Sequence, residues 1–243
     1  MTNIIECHNV WKQYRKNNVL GIKEFILRGR RKPPNRFDRD WALREISFSV
    51  RSGEALGIIG PNDTGKSTLL TLLLGTIFPE RGEIITKGKI ASLMEIGAGF
   101  HGELTGRQNI LLHGVILGMS REEIKKSTAK IIEFSEIQSA IDEPLRTYSS
   151  GMIARLGFSI IIHATSDILL IDEVLAVGDE KFQKKCINYL NHFKQNGGAI
   201  VVVSHDMNEL ASLCQSGICL NMGKIVHYGQ IDKVIDHYEN MDY

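Results

Sequence analysis

The sequence predicts an α/β fold with a parallel core sheet, an antiparallel β layer and an inserted helical subdomain. Three short apolar runs, at residues 55–59, 168–171 and 199–203, predict strands that are buried on both faces. Such strands are typical of a parallel sheet, because its crossover helices cover both faces. Alternating apolar and polar residues at 42–50 predict a half-buried strand, which we expect to pair with residues 4–10 in the antiparallel layer.

Two amphipathic helices are predicted outside these strands. Ser120 and Glu123 form a capping box at the start of the first helix, whose apolar side carries isoleucines at helical spacing. The second helix is expected over about residues 180–195, and it ends at the glycine pair 197–198. A helix in this position returns the chain to the strand at 199–203.

Length and composition fit one domain with an insertion. The chain has 243 residues, of which 43% are hydrophobic and 23% are charged, so a core can form. We expect a single domain over residues 1–243, in which residues 1–95 and 167–243 form the core. Residues 96–166 are expected to form the helical subdomain.

The composition also limits the function classes. The formal net charge is +1, which gives no broad electrostatic reason to bind nucleic acid or an anionic membrane. The four cysteines lack the paired spacing of zinc ligands, and a reduced, cytoplasmic context is expected. No apolar run approaches the roughly 20 residues that a membrane-spanning helix needs. If the protein moves a solute across a membrane, another chain has to supply the path.

A phosphate-binding loop is predicted directly after the first buried strand. Residues 60–68, called the phosphate loop below, read GPNDTGKST and match G-x-x-x-x-G-K-[ST] between a strand and an apolar helix. Its glycines allow backbone N–H groups to curl around phosphate oxygens at a helix N-terminus. The residues of this loop that we expect to contact ATP are Gly60, Asn62, Gly65, Lys66, Ser67 and Thr68.

Two residues of the phosphate loop have defined expected roles, and a third is unusual. Lys66 is expected to reach the β- and γ-phosphates of ATP, and Ser67 to bind Mg²⁺. Asp63 stands where comparable loops usually carry glycine, although aspartate adopts left-handed backbone conformations more easily than most residues. Its carboxylate either points to solvent or weakens nucleotide binding by repelling the phosphates.

Polar residues follow the other two buried strands. Asp172 and Glu173 come directly after residues 168–171, where carboxylates can hold a metal ion and activate water. We predict that Asp172 binds Mg²⁺ and that Glu173 is the general base, although an acidic turn after a core strand has the same sequence. His205 follows the strand at 199–203 and is predicted to stabilise charge on the γ-phosphate, the alternative being a structural role.

A serine–glycine segment at 148–152 completes a resemblance to a known family. This segment reads YSSGM and begins a helix. The order of phosphate loop, serine–glycine segment, acidic pair and strand-end histidine resembles the ATP-binding cassette (ABC) proteins, which are P-loop NTPases, over nearly the whole chain. That family usually has LSGGQ here, so Ser149 matches its serine and Gly151 its second glycine.

The resemblance implies a homodimer. In ABC proteins two subunits pack head to tail with two ATP molecules between them, so Ser149 and Gly151 would cover the partner's nucleotide. A helix N-terminus aimed at an anion is the physical reason, and ordinary N-capping by Ser149 is compatible with it. Asp179 matches the segment that crosses this interface.

Two further matches are less specific. Tyr14 matches the aromatic residue that stacks on adenine, although an aromatic side chain at a strand end is equally typical of a core. The family's glutamine between Mg²⁺ and the membrane partner is missing from this sequence. Glu95 lies nearest to its position and is the candidate metal-linking residue.

Departures from the common ABC motifs point to one group within the family. YSSGM occurs together with DEVLAVGDEKFQKKC at 172–186, MEIGAGFHGELTGRQNI at 94–110 and a long insertion between Tyr14 and Trp41. This combination looks like the ATPase subunits of polysaccharide exporters, above all those that move lipid-linked O-antigen. Teichoic-acid or capsule exporters are the alternative. Some relatives append a carbohydrate-binding domain, and none is expected after the end of this chain.

The resemblance also implies partners and a location. An integral-membrane permease dimer would carry the lipid-linked polysaccharide, and the ATPase would lie peripherally on the cytoplasmic face of the bacterial inner membrane. The arginine-rich stretch at 28–39 would then meet lipid head groups or a pyrophosphate-linked glycan, unless it is an ordinary solvated loop. The competing classes are a soluble ABC ATPase without a permease and a nucleotide-binding regulator that does not hydrolyse ATP.

Overall fold

Two β-sheets organise the residues that the computed structural model describes, which are 2–14, 41–94, 97, 99–172 and 178–241. The antiparallel sheet contains β1 (Asn3–Gln13), β2 (Trp41–Arg51) and β4 (Arg81–Thr86). The larger sheet contains β3 (Ala55–Ile59), β5 (Ile90–Ser92), β6 (Ile168–Asp172), β7 (Ala199–Val203), β8 (Ser216–Asn221) and β9 (Lys224–Gln230).

Strand order places β3, which leads into the phosphate loop, in the interior of the larger sheet. The order there is β5–β6–β7–β3–β8–β9, and every neighbouring pair is parallel except β8 with β9. Both β3 and β7 are buried along their whole length, as expected for parallel strands that are covered on both faces. The predicted strands at 55–59, 168–171 and 199–203 are therefore confirmed.

The helices pack against the larger sheet or against each other. They are α1 (Lys66–Leu73), α2 (Gly106–Ile116), α3 (Arg121–Ser135), α4 (Ser150–His163), α5 (Glu180–Gln195), α6 (Met207–Leu213) and α7 (Ile231–Glu239). The predicted capping box of Ser120 and Glu123 opens α3, and the predicted helix at 180–195 is α5. Among the described helices, none combines the length and the apolar character that crossing a membrane requires.

Three apolar clusters form the interior. Side chains of β3 alternate between two of them: Leu56 and Ile58 face α1 and the antiparallel sheet, whereas Ala55 and Ile59 face α4 and α5. The third cluster joins α2, α3 and α4 through residues that include Ile110, Ile124, Leu156 and Ile160. A separate cluster among these helices fits the helical subdomain predicted from the sequence, whose boundaries remain a prediction.

Candidate active site

Three parallel strands bring their carboxyl ends to one edge of the larger sheet. Val203 of β7 pairs with Ile58 of β3 on one side and with Asp172 of β6 on the other. Since adjacent strands lie about 4.8 Å apart, Ile58 and Asp172 are at the same level and roughly 10 Å apart. Gly60 follows shortly after Ile58, and His205 follows shortly after Val203. This edge therefore gathers the phosphate loop, the predicted metal ligand and the predicted catalytic histidine.

The glycines of the phosphate loop are required by its path. Gly60 has φ 151° and Gly65 has φ 100°, a region that only glycine adopts without strain. A Cβ atom at Gly60 would lie 2.1 Å from the carbonyl oxygen of Leu220, and one at Gly65 would lie 2.6 Å from that of Ala42. The loop leads directly into α1, whose first N–H groups have no partner within the helix. Its backbone is shaped to receive an anion such as a phosphate.

Lys66 holds a positive charge at this loop. The side chain is only 7% exposed, and its Nζ donates hydrogen bonds to the carbonyl oxygens of Gly60 at 2.9 Å and Pro61 at 2.7 Å. Thr64 supports the same turn, because its hydroxyl donates to the Pro61 carbonyl at 2.9 Å. A bound triphosphate would draw the ammonium from neutral carbonyls to charged phosphate oxygens, which accept stronger hydrogen bonds.

The other polar residues of the loop differ in exposure. Asn62, Asp63 and Ser67 are exposed, and Thr68 is half-buried, so the Ser67 hydroxyl is accessible to a ligand. Asp63 has φ 61°, the left-handed conformation for which a glycine is usual. Exposure supports the interpretation in which its carboxylate points to solvent, while the effect of Asp63 on nucleotide affinity remains a prediction.

The predicted metal ligands and the predicted general base are described only in part. Asp172 is half-buried at the end of β6, whereas Glu173 and Glu95 lie outside the described residues. Within the described ranges, no group of three or more histidine, cysteine, aspartate or glutamate side chains could hold a metal ion. Mg²⁺ that arrives with ATP needs only one or two protein ligands, because phosphates and water supply the others. Ser67 and Asp172 suit that type of site chemically, and their metal-binding role remains a prediction.

Hydrogen bonds on both sides of His205 fix the turn that carries it. Ser204 is buried; its hydroxyl accepts the N–H of Asp206 at 3.0 Å and donates to Glu209 at 3.1 Å. Asp206 caps α6 by accepting the N–H groups of Asn208 at 2.9 Å and Glu209 at 3.1 Å. Burial raises the pKa of Glu209, an effect that the Ser204 hydrogen bond opposes. His205 itself is exposed at the strand-end edge, where a ligand can reach it.

The serine–glycine segment presents a helix N-terminus to open surface. Ser149 is the N-cap of α4, and its hydroxyl accepts the N–H of Met152 at 3.2 Å. Both Ser149 and Ser150 are exposed. A Cβ atom at Gly151 would meet nothing closer than the Ser149 hydroxyl, at 3.9 Å. The N-capping role is confirmed, and the contact of Ser149 and Gly151 with a nucleotide held by another subunit remains a prediction.

Asp179 has two structural contacts that use different oxygens. Its Oδ1 accepts the N–H of Phe182 at 2.9 Å as the N-cap of α5, and its Oδ2 lies 2.8 Å from Nη2 of Arg155. The Phe182 N–H and then Arg155 lower the pKa of the Asp179 carboxyl. The sequence pattern gave no signal for Arg155, because this contact joins α4 to the start of α5.

Tyr14 lies just beyond β1 and is not a core residue. It is 51% exposed, so the alternative in which it belongs to the core is wrong. The ammonium of Lys12 lies 5.8 Å from the centre of its ring. An exposed ring offers a face on which a base can stack, and the adenine contact remains a prediction.

Comparisons with known proteins identify the family of this chain. The ABC transporter family model matches residues 43–176, more than half of the chain. The O-antigen export system ATP-binding protein RfbB of Klebsiella pneumoniae is 43% identical over 242 residues, with 98% of each chain covered. The teichoic acids export ATP-binding protein TagH of Bacillus anthracis is 44% identical over 199 residues, which cover 82% of this chain and 36% of TagH.

Solved structures show the same fold. The ATP-binding subunit of an ABC transporter aligns with a TM-score of 0.78 at 19% identity, covering 97% of this chain and 93% of the other. A dimeric ATP-binding cassette in a post-hydrolysis state with ADP and Pi aligns with a TM-score of 0.73 at 20% identity, covering 93% and 98%. The predicted fold class is therefore confirmed, and, with the family model and the relatives, this chain belongs to the ABC transporter family.

Proposed function

We propose that this chain binds and hydrolyses ATP to power the export of a lipid-linked polysaccharide, with O-antigen as the expected substrate class. The observation that carries the proposal is the strand-end edge with the phosphate loop, Asp172 and His205. This edge occurs in a chain that is 43% identical to an O-antigen export ATP-binding protein over 98% of its length. Teichoic-acid export is the second candidate, favoured by 44% identity over 82% of the chain.

ATP is bound by two kinds of contact, one to its phosphates and one to its adenine ring. Lys66 and the N–H groups at the start of α1 take the β- and γ-phosphates, because both present positive charge to the same loop. Tyr14 stacks on adenine. Ser67 and Asp172 would hold Mg²⁺, which neutralises charge on the phosphates when it is bound.

Hydrolysis requires a water molecule in line with the γ-phosphate. Glu173 orients this water and accepts its proton, while the oxygen of the water forms a bond to the γ-phosphorus. The bond from that phosphorus to the β–γ bridging oxygen breaks, which yields ADP and phosphate. His205 donates a hydrogen bond to the γ-phosphate oxygens and so stabilises charge in the transition state.

Each site is completed by a second copy of the chain. The exposed N-terminus of α4 carries Ser149 and Gly151, and no phosphate of the same subunit is expected to reach it. A partner's ATP would supply the anion, with Asp179 crossing the interface beside it. Hydrolysis then removes the γ-phosphate that both subunits hold, so the dimer reopens.

A groove beside α2 is proposed to receive a cytoplasmic helix of the permease. It has a volume of about 480 Å³ and lies among α1, β5, α2 and α4. Leu74 and Ile116 line this groove, and they are 36% and 58% exposed. Exposed apolar side chains around a groove are typical of a protein–protein contact. A permease above this groove would place the chain peripherally on the cytoplasmic face of the inner membrane.

Replacing Ile116 by aspartate should break this contact without affecting the nucleotide site. We expect loss of the co-purified permease and of polysaccharide export, with unchanged ATP hydrolysis by the isolated subunit. Val115 is the matched control, because it is 55% exposed on the same helix and lines a different groove. Val115→Asp should retain the permease. Equal loss with both variants would contradict the assignment of this groove.

The substrate class is tested with the complex of ATPase and permease in lipid vesicles. We expect lipid-linked O-antigen to raise the rate of ATP hydrolysis, and a teichoic-acid precursor to leave it unchanged. The reverse pattern would favour the second candidate. A chain that hydrolyses ATP but retains no membrane protein would be a soluble ABC ATPase instead.

A further inference from the structure

Arg155 of α4 contacts the segment that leads into α5. Its Nη2 lies 2.8 Å from Oδ2 of Asp179, and its guanidinium carbon lies 5.0 Å from the centre of the Phe182 ring. A Cβ atom at Gly178, where φ is 77°, would lie 3.1 Å from Nε of Arg155. The guanidinium therefore packs against the backbone at Gly178 as well as against the side chain of Asp179.

We propose that Arg155 is a positioning residue that makes the N-terminus of α4 and residues 178–179 move as one unit. This inference rests on the proposed function, in which Ser149 and Asp179 both meet the partner subunit. Two elements that are joined in this way engage the partner together when ATP closes the dimer. If they moved separately, each closure would have to order both of them, at a greater cost in entropy.

A second carboxylate holds the other side of the guanidinium. Nη1 of Arg155 lies 3.5 Å from Oε2 of Glu136, the C-cap residue directly after α3. Oε1 of Glu136 lies 3.1 Å from Nζ of Lys185 in α5, and the same Nζ donates to the carbonyl oxygen of Phe134 at 2.9 Å. The pKa of the Glu136 carboxyl is lowered, most strongly by its hydrogen bond with Lys185 and less by the charge of Arg155. The charges thus link α3, α4 and α5.

Three packed aromatic rings lie next to these charged side chains. Phe134 of α3, Phe158 of α4 and Phe182 of α5 contact one another with ring centres 5.7 to 6.2 Å apart. Phe158 and Phe182 are fully buried. Arg155 is 19% exposed above them, so its guanidinium has a defined place and its charge is partly shielded from water.

The two carboxylate oxygens of Asp179 have different partners, so the cap of α5 and the contact with Arg155 can be removed separately. Oδ1 caps α5 whether or not Oδ2 meets Arg155, so losing the arginine leaves the helix start intact. Loss of Arg155 instead removes the contact that fixes the position of residues 178–179 relative to α4. The proposal therefore predicts a defect in dimer closure and hydrolysis, with ATP affinity of the single subunit retained.

A double-mutant cycle with Arg155→Met and Asp179→Asn tests the proposal. Methionine keeps an apolar chain over Phe182, and asparagine keeps the oxygen that caps α5. We expect each single variant to lower kcat about three- to tenfold, with the Kd of the monomer for ATP unchanged. When Glu173→Gln is added to block hydrolysis, each should lower the fraction of ATP-trapped dimer by a similar factor. The double variant should be no worse than the stronger single variant, because both remove the same contact.

Lys184→Met is the matched control. It removes the ion pair between Lys184 and Glu180 on the surface of α5, where both side chains are more than 70% exposed. It should keep the activity of the unmodified chain. Additive losses in the double variant, or unchanged kcat in Asp179→Asn, would overturn the role of Arg155. If Arg155→Met lowers the melting temperature, Arg155→Lys takes its place in the cycle, with losses in the same direction, because lysine keeps the positive charge but lacks the planar guanidinium. Absence of an ATP-dependent dimer in a Glu173→Gln variant with no other change would instead contradict the proposed function.

Discussion

Replacing Lys66 by methionine should weaken ATP binding and lower the rate of hydrolysis by about 10²- to 10³-fold, the loss typical of removing one donor that stabilises a transition state. Methionine has a similar length and no charge, so the phosphates lose their main cationic partner in the loop. Titration with a fluorescent ATP analogue measures the binding, and release of phosphate measures the turnover.

A matched control separates this effect from folding. Lys66 also donates to the carbonyl oxygens of Gly60 and Pro61, so its loss leaves two backbone acceptors to be solvated. Lys194 likewise donates to a carbonyl oxygen, that of Leu213, near the opposite end of β3. Lys194→Met should bind ATP as the unmodified chain does. Normal turnover in a folded Lys66→Met variant would contradict a role of the phosphate loop in ATP hydrolysis.

Replacing Glu173 by glutamine should lower kcat by about 10²- to 10⁴-fold, which is the usual contribution of a general base. Glutamine can still orient water but cannot take its proton, so ATP stays bound between two subunits. Size-exclusion chromatography with ATP should then show a dimer that the unmodified chain forms only transiently.

Glu180→Gln provides the control for this second substitution, because Glu180 is an exposed carboxylate that pairs with Lys184 on the surface of α5. It should hydrolyse ATP at the normal rate. A Glu173→Gln variant that remains monomeric and retains full activity would contradict the hydrolytic mechanism. No hydrolysis by the unmodified chain with its permease would favour the non-hydrolysing regulator.

The sequence predicted best what depends on strong local patterns. Strands β3, β6 and β7 are continuous apolar runs, and α3 and α5 have clear caps and spacing, so their positions are confirmed. Strand β9 was not predicted, because it lies at a sheet edge and its residues are only exposed or half-buried. Strand β5 covers only Ile90–Ser92, too short for a periodic pattern. Edge strands and short strands depend on tertiary partners that a local window cannot show.

Some missed elements did carry a readable signal. Thr105 and Gln108 form a capping box at the start of α2, and the same pattern is visible in the sequence. Apolar residues of α7, Ile231, Val234 and Ile235, recur at helical spacing and are buried. These two helices could have been predicted by the reasoning that gave α3.

For the site, too, local sequence patterns were predictable and contacts between distant segments were not. Motifs gave the phosphate loop, Asp172, His205 and the serine–glycine segment, because each of them follows directly on a strand or opens a helix. Contacts between distant segments were beyond reach: nothing local connects Arg155 with Asp179 or Ser204 with Glu209. The first pair is a long-range contact, and the second depends on how a turn folds over the start of α6.

The central claim is that one subunit holds the triphosphate and the serine–glycine segment of its twin covers it. Two differently tagged subunits, one with Asp63→Cys and one with Ser149→Cys, can be mixed in the Glu173→Gln background and treated with a short thiol crosslinker. Both positions are exposed, and all four native cysteines are buried. We predict a crosslink between the two tags that requires ATP; no crosslink between subunits while ATP is trapped would contradict the account.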